Sequence, residues 1–124
     1  MQFNSILIGS EQPERLVDYY RKLFGEPAFA DGGYTGWMIG SGNVTIGPHS
    51  EVHGKNPQPG RLIWNIETTD VQGEFERMKA AGAIVIREPY TFDEAPGSWI
   101  ATLADPDDNY FQLATPMDPN AMGR

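Results

Sequence analysis

The chain carries the same pattern twice. When its second half is laid on its first at an offset of 58 residues, Ile6 falls on Trp64, Ile8 on Ile66, Val17 on Phe75 and Tyr20 on Met78. Apolar residues coincide in a segment with strand character and again in one with helix character. The sequence therefore reads as two copies of one supersecondary unit, and any fold for it has to seat that unit twice.

In the first copy, Phe3 to Ile8 has the composition of a buried strand. The residues from Pro13 to Phe24 then place Leu16, Val17, Tyr20, Leu23 and Phe24 at helical spacing. Pro13 suits a first helical turn and Gly25 a left-handed stop. Three short strands are predicted around Ala28 to Phe29, Thr35 to Ile39 and Asn43 to Ile46, separated by Asp31-Gly32-Gly33 and Gly40-Ser41-Gly42. Module one thus spans 1–47, and a Pro/Gly-rich connection covers 48–60. In module two, 61–117, Arg61 to Glu67 is the first strand and Asp70 the N-cap of a helix carrying Val71, Phe75 and Met78, with Gly82 as its stop. Strands at Ala83 to Arg87, Trp99 to Ala104 and Tyr110 to Thr115 follow, the last two joined by the turn Asp105-Pro106-Asp107-Asp108-Asn109. A polar tail, 118–124, is expected to fray.

Composition removes several classes of function. There is no cysteine, hence no disulfide framework, thiolate metal site or cysteine nucleophile. Nine Lys and Arg against 17 Asp and Glu leave a net charge of −8, which repels phosphate backbones and anionic lipid; neither nucleic acid nor a membrane is an expected partner. The apolar run Ile6-Leu7-Ile8 stops at Gly9, far short of a membrane span, and the expected location is the cytoplasm. Both histidines, His49 and His53, lie in the connection, so no Ser/His/Asp triad can be assembled; a glycine-rich phosphate loop is also absent.

Thr69-Asp70-Val71, the stretch Glu74 to Ala83 and the stretch Ala104 to Leu113 resemble the second module of the glyoxalase/bleomycin-resistance/dioxygenase group, the vicinal oxygen chelate superfamily. Pro13-Glu14-Arg15-Leu16 through Tyr20 and Phe24-Gly25 resemble the first. Asp108 stands where that group usually has Gly. The resemblance implies one α+β domain over 1–124, made of two βαβββ modules that form an open, curled, mixed sheet around a cleft with the helices outside.

Metal-dependent members of the superfamily converge His and Glu side chains on a divalent ion. Carried over by motif, the first His position falls on Ser5, or on Asn4 with a slip of one residue. The second His position falls on Ile63 and the last Glu position on Gln112, while Thr45, Ile46 and Gly47 offer no ligand in the remaining strand. An alkyl group cannot bind a metal and a carboxamide is a weak donor beside a carboxylate, so neither a metal nor another cofactor is expected. Two other metal arrangements were considered. His49 and His53 have helical pair spacing with Glu51 nearby, but Pro48, Gly54 and Pro57 argue for an irregular loop. The acids from Asp105 onward imitate a calcium loop, yet Tyr110 and Pro116 occupy the positions that need Gly and Glu.

Strand alternation separates Ser5 and Leu7 from Ile6 and Ile8, and Ile63, Asn65 and Glu67 from Leu62, Trp64 and Ile66. It likewise separates Tyr110, Gln112 and Ala114 from Phe111 and Leu113. The second set in each strand is apolar enough to lie under a helix. The cleft face is then expected to hold Ser5, Leu7, Ile63, Asn65, Glu67, Tyr110 and Gln112, with Trp37 and Trp99 as stacking surfaces. Glu67 is the only ionisable carboxylate of this set, and with the charge of −8 it favours a cationic or hydrogen-bond-donating guest.

The expected function is metal-independent binding of a small organic ligand, in the manner of drug-sequestering members of the group. The alternative is a lyase, isomerase or dioxygenase with an atypical metal site including His49, or with Glu67 as base. A small acidic interaction module is a third reading, for which no peptide groove can be named. Exposed strand edges and an apolar cleft rim predict a symmetric homodimer.

Overall fold

The computed structural model describes residues 1–116. In chain order the elements are β1 (Ser5–Ser10), α1 (Pro13–Phe24), β2 (Phe29–Asp31), β3 (Tyr34–Ile39), β4 (Gly42–Pro48), a 3-10 turn (Pro59–Arg61), β5 (Ile63–Glu67), α2 (Val71–Ala80), β6 (Ile84–Phe92), β7 (Ala95–Ala104) and β8 (Tyr110–Ala114). The βαβββ order occurs twice, as the repeat predicts. The expected frayed tail, 118–124, lies outside the described residues.

The described residues divide into two compact units, one of residues 1–58 with 105–109, the other of 59–104 with 110–116. The first holds a four-stranded sheet in the order β1-β4-β3-β2, and the second a four-stranded sheet in the order β5-β8-β7-β6. Each sheet has one parallel pair, β1 with β4 or β5 with β8, and two antiparallel pairs. The helix supplies the crossover that a parallel pair requires.

In the first unit, α1 starts at Pro13 and stops at Gly25, whose φ of 82° takes the chain out of helical geometry. Its Leu16, Tyr20 and Leu23 are buried on a sheet face carrying Ile8, Trp37, Val44 and Ile46. In the second unit, the Asp70 carboxylate accepts a hydrogen bond from the Gly73 backbone N–H at 3.0 Å and caps α2. Val71, Phe75 and Met78 then seal a face made of Ala101, Leu103, Phe111 and Leu113, with Trp64 stacked on Phe111 at 5.1 Å. Each sheet therefore has one face buried under its own helix.

Several strand boundaries differ from expectation: the first strand runs Ser5–Ser10 instead of Phe3 to Ile8, and the fifth begins at Ile63, with Arg61 in the 3-10 turn. The second strand runs Phe29–Asp31, later than the predicted Ala28 to Phe29. The sixth does not stop at Arg87 but continues to Phe92, and the seventh begins at Ala95 instead of Trp99. The cause is a set of three register shifts, between Val85 and Arg87, between Arg87 and Tyr90 and between Thr91 and Phe92. Such bulges break the period-2 pattern by which a strand is recognised. Pro89, which removes a ladder donor, is tolerated because β6 is an edge strand with a bulge at that point.

Candidate functional site

Register decides which side chains share the face of each sheet that its helix leaves open. In the second unit, Asn65 pairs with Gln112, Gln112 with Thr102, and Thr102 with Arg87, giving one row of polar residues across all four strands. The next row is Glu67, Ala114, Ile100 and Tyr90, and the row on the other side begins Ile63, Tyr110, Ala104. Of the expected cleft residues, the second unit thus brings Ile63, Asn65, Glu67, Tyr110 and Gln112 together on one face.

The polar groups on this face are unequally committed. Gln112 Nε2 donates to Thr102 Oγ1 at 3.0 Å, which orients the carboxamide and leaves its Oε1 facing no protein donor among the described residues. Asn65 Nδ2 donates to the Ile63 carbonyl at 3.3 Å. Glu67 is exposed and has no hydrogen-bond or ion-pair partner among the described residues; in particular it does not pair with Arg61 or Arg87. Tyr110 is half-buried and its hydroxyl is likewise uncommitted. The Arg87 guanidinium lies 3.6 Å from the centre of the Tyr90 ring.

Sequence reading missed Thr102, Arg87 and Tyr90. Thr102 was accessible, as the single polar residue in Ile100 to Ala104, on the same side of the pleat as Ile100 and Ala104. Arg87 and Tyr90 were not, because counting by twos along β6 fails at both bulges. Glu67 remains the one carboxylate of the expected set, and Arg87 adds a cation to the same face.

The open face of the first sheet is different in kind. It carries Ser5, Leu7, Asn43, Thr45, Met38, Tyr34 and Phe29. Leu7 and Met38 are more than half exposed, at 54% and 56%. The Phe29 ring lies across Gly36 and the Tyr34 ring across Gly47, where a Cβ would overlap the ring in each case. Ser5 and Leu7 are placed as expected, on a face that is mainly apolar.

Two expected stacking surfaces are corrected. Trp37 is only 2% exposed, its indole N–H donates to the Gly25 carbonyl at 2.8 Å, and its ring neighbours Tyr20; it belongs to the core under α1. Trp99 alternates with Ala101 and Leu103, on the side of β7 that faces α2. Neither indole is on an open face.

The donor set is poor in metal ligands. The parallel pairing of Leu7 with Thr45 repeats that of Asn65 with Gln112, so Thr45 is the first-unit counterpart of Gln112. The four superfamily ligand positions hold Ser5, Thr45, Ile63 and Gln112: two hydroxyls, an alkyl group and a carboxamide already turned toward Thr102. They do not fit a divalent-ion site. Among the described residues no cluster of three or more His, Asp or Glu side chains suits a metal elsewhere. His49 and His53 are exposed, and His53 Nδ1 sits 3.4 Å from Glu11 Oε2.

Asp105 and Asp107, buried in the first unit, are the other concentration of charge. Asp105 accepts from the Tyr20 hydroxyl at 2.7 Å, from the Asp107 and Asn109 backbone N–H groups at 2.8 and 3.0 Å, and from the Asn109 side chain. Asp107 accepts from Ser10 Oγ at 2.6 Å and is ion-paired with Arg15. Burial raises the Asp105 carboxyl above its ordinary range despite those donors, and burial beside Asp105 pushes the Tyr20 hydroxyl well above 10. Every acceptor is occupied by protein, so this network fixes the turn and is closed to substrate. Asp108, with φ of 63°, explains the Gly usual at that position.

A groove of about 540 Å³ runs between α1 and the β2-β3 hairpin, past Glu14, Asp18, Asp31 and Tyr34. It is open, and its one cation, Arg21, faces Asp18 and Glu26 at 3.7 and 3.4 Å. The organised polar row of the second sheet is the stronger candidate site.

Comparison with known proteins agrees with the architecture. Residues 5–114 match the family described as Glyoxalase-like domain. An uncharacterized protein of Mycolicibacterium smegmatis is 27% identical over 85 residues, which are 68% of this chain and 71% of that one. A glyoxalase-related enzyme from Fulvimarina pelagi is similar in structure, with a TM-score of 0.70 at 20% identity over 96% of this chain and 94% of that one. A glyoxalase/bleomycin resistance protein/dioxygenase family enzyme from Burkholderia phytofirmans PsJN gives a TM-score of 0.70 at 19% identity, over 94% of this chain and all of that one. At these identities the structural likeness speaks for the fold alone.

Proposed function

The chain belongs to the glyoxalase-like domain family, and on that premise we propose that it binds a small organic molecule, without a metal, on the open face of its second sheet. The observation that carries this reading is the row Asn65, Gln112, Thr102. Gln112 is held by Thr102 with its acceptor oxygen uncommitted, on a face that α2 does not cover. Half-buried polar groups left without protein partners are costly in a sealed core, but on an open face they orient a ligand. No helix of the described chain is long and apolar enough to cross a membrane.

The chemistry available is recognition by hydrogen bonding. Gln112 offers an acceptor, Tyr110 a hydroxyl that both donates and accepts, and Ile63 and Ile100 an apolar floor. Family membership alone does not choose an activity, because one fold hosts many. A catalytic reading is favoured by one observation: Glu67 is an exposed carboxylate with no protein partner on the same face, as a general base would need to be.

A thermal-shift screen of small organic molecules tests the proposal. A true ligand at 100 times its Kd stabilises by about 2.7 kcal/mol, and Gln112→Ala should reduce that shift. Turnover of a stabilising compound, abolished in Glu67→Gln, would establish the catalytic reading instead. Stabilising compounds that act equally on wild type and Gln112→Ala would remove the site from this face.

A further inference from the structure

Three other arginines are matched to carboxylates: Arg15 to Asp107, Arg21 to Asp18 and Glu26, Arg77 to Glu74. Arg87 is matched to a ring. Its guanidinium lies 3.6 Å from the centre of Tyr90, and it makes no ion pair or hydrogen bond to the described residues. Stacking engages the π face of the guanidinium and leaves its N–H groups in the plane, directed outward and in the fork that matches a carboxylate.

The bulges of β6 make this possible. Val85 pairs with Leu103 on the helix-covered side, but the register shift turns Arg87 to pair with Thr102 on the open side, and a second shift brings Tyr90 beneath it opposite Ile100. A regular strand would have put the intervening residues elsewhere. The result is a cation held by a ring at one end of the row that continues through Thr102 to Gln112. The acid on the same face, Glu67, is at the opposite edge, three strand spacings or about 14 Å away across the sheet. In a protein of charge −8, an exposed arginine without a carboxylate partner, oriented by a ring, is a specific provision.

We propose that Arg87 makes this face selective for a small planar carboxylate, gripped by the guanidinium at one end and donating a hydrogen bond to Gln112 Oε1 at the other. The inference rests on the binding reading above and names the ligand class. Arg87 and Gln112 are two strand spacings apart, about 10 Å at the backbone, and the Gln112 carboxamide turns toward Thr102, which lies between them. A carboxylate with a hydroxyl or N–H donor across a single aromatic ring has the right span, and Ile100, in the neighbouring row of the same face, offers the ring an apolar edge. Lysine in place of Arg87 would keep the charge and lose both the stacking and the fork.

The test is a titration of the ¹⁵N-labelled full chain with three probes of one shape: 4-hydroxybenzoate, 4-hydroxybenzamide and 4-(aminomethyl)phenol. Backbone amide shifts report both affinity and location. The carboxylate should move the amides of Arg87, Thr102 and Gln112 and bind at least tenfold more tightly than the amide. Arg87→Gln should bring the two to the same affinity, Arg87→Lys should keep part of the difference, and Arg77→Gln, which removes a charge from the outer surface of α2, should keep all of it. The spectra themselves show whether each variant is folded. Equal binding of carboxylate and amide in the wild type, or a preference that survives Arg87→Gln, overturns the inference and leaves the binding face standing. Tighter binding of the amine overturns it in favour of Glu67. If none of the three moves these amides, the inference fails together with the reading it rests on.

Discussion

Tyr20 is the residue whose removal should be most visible in stability. Its hydroxyl donates to the buried Asp105 at 2.7 Å, so Tyr20→Phe keeps the ring in the core and takes one donor from a buried carboxylate. The expected loss is about 1.5–3 kcal/mol in chemical denaturation. The pH dependence has a definite sign. Because the folded pKa of Tyr20 is raised, first by burial and then by Asp105, the unfolded chain releases this proton from pH 10 upward while the folded chain keeps it. The contribution is full below pH 10 and is lost as pH rises toward the folded value. Melting temperature should therefore fall more steeply above pH 10 in the wild type than in Tyr20→Phe. At the open face, Glu67→Gln should leave stability within about 0.5 kcal/mol, since the carboxylate is exposed and touches no protein partner. A large loss would show that Glu67 is structural. Which residues share a face was legible on regular strands, and alternation alone placed the candidate residues Asn65, Glu67, Tyr110 and Gln112 on one face. Trp37 was misjudged because its ring and its N–H are both used internally, through Tyr20 and the Gly25 carbonyl.

Among the elements, the helices were the most legible, because each has a start and a stop signal and one buried stripe: Leu16, Tyr20 and Leu23 in α1, Val71, Phe75 and Met78 in α2. Phe75→Ala should cost about 3–5 kcal/mol, as a fully buried ring over Leu103, Phe111 and Leu113 leaves a cavity. The β6-β7 hairpin was the least legible. Its bulges at Arg87 and Tyr90 and the proline between them break the alternation, and half of β6 and the first part of β7 read as loop. The turn after β7 supplies a further test. Asp108 holds a positive φ that glycine adopts without strain, so Asp108→Gly should raise stability by about 0.5–1 kcal/mol after the added entropy of the unfolded chain is offset.

At the scale of the whole molecule, the two units are built alike and differ in what their open faces expose. The first shows Leu7, Phe29, Tyr34 and Met38, and the second shows the polar row with Arg87 and Glu67. Exposed apolar residues gathered on one sheet face are what an interaction surface needs, and together with the exposed strand edges they are why we propose a symmetric homodimer. Light scattering at micromolar concentration should return twice the chain mass, and a monomer would count against it. The repeat made this doubled architecture readable from the sequence, whereas the contrast between the faces emerged only with the strand register. We propose that the second sheet holds an organic ligand without a metal. The most direct measurement of this is a calorimetric titration of chelator-treated protein with the most stabilising compound from the thermal-shift screen. The account predicts one-to-one binding, at an affinity unchanged by adding back nickel, zinc or manganese. Binding that disappears on chelation and returns with a divalent ion would contradict it.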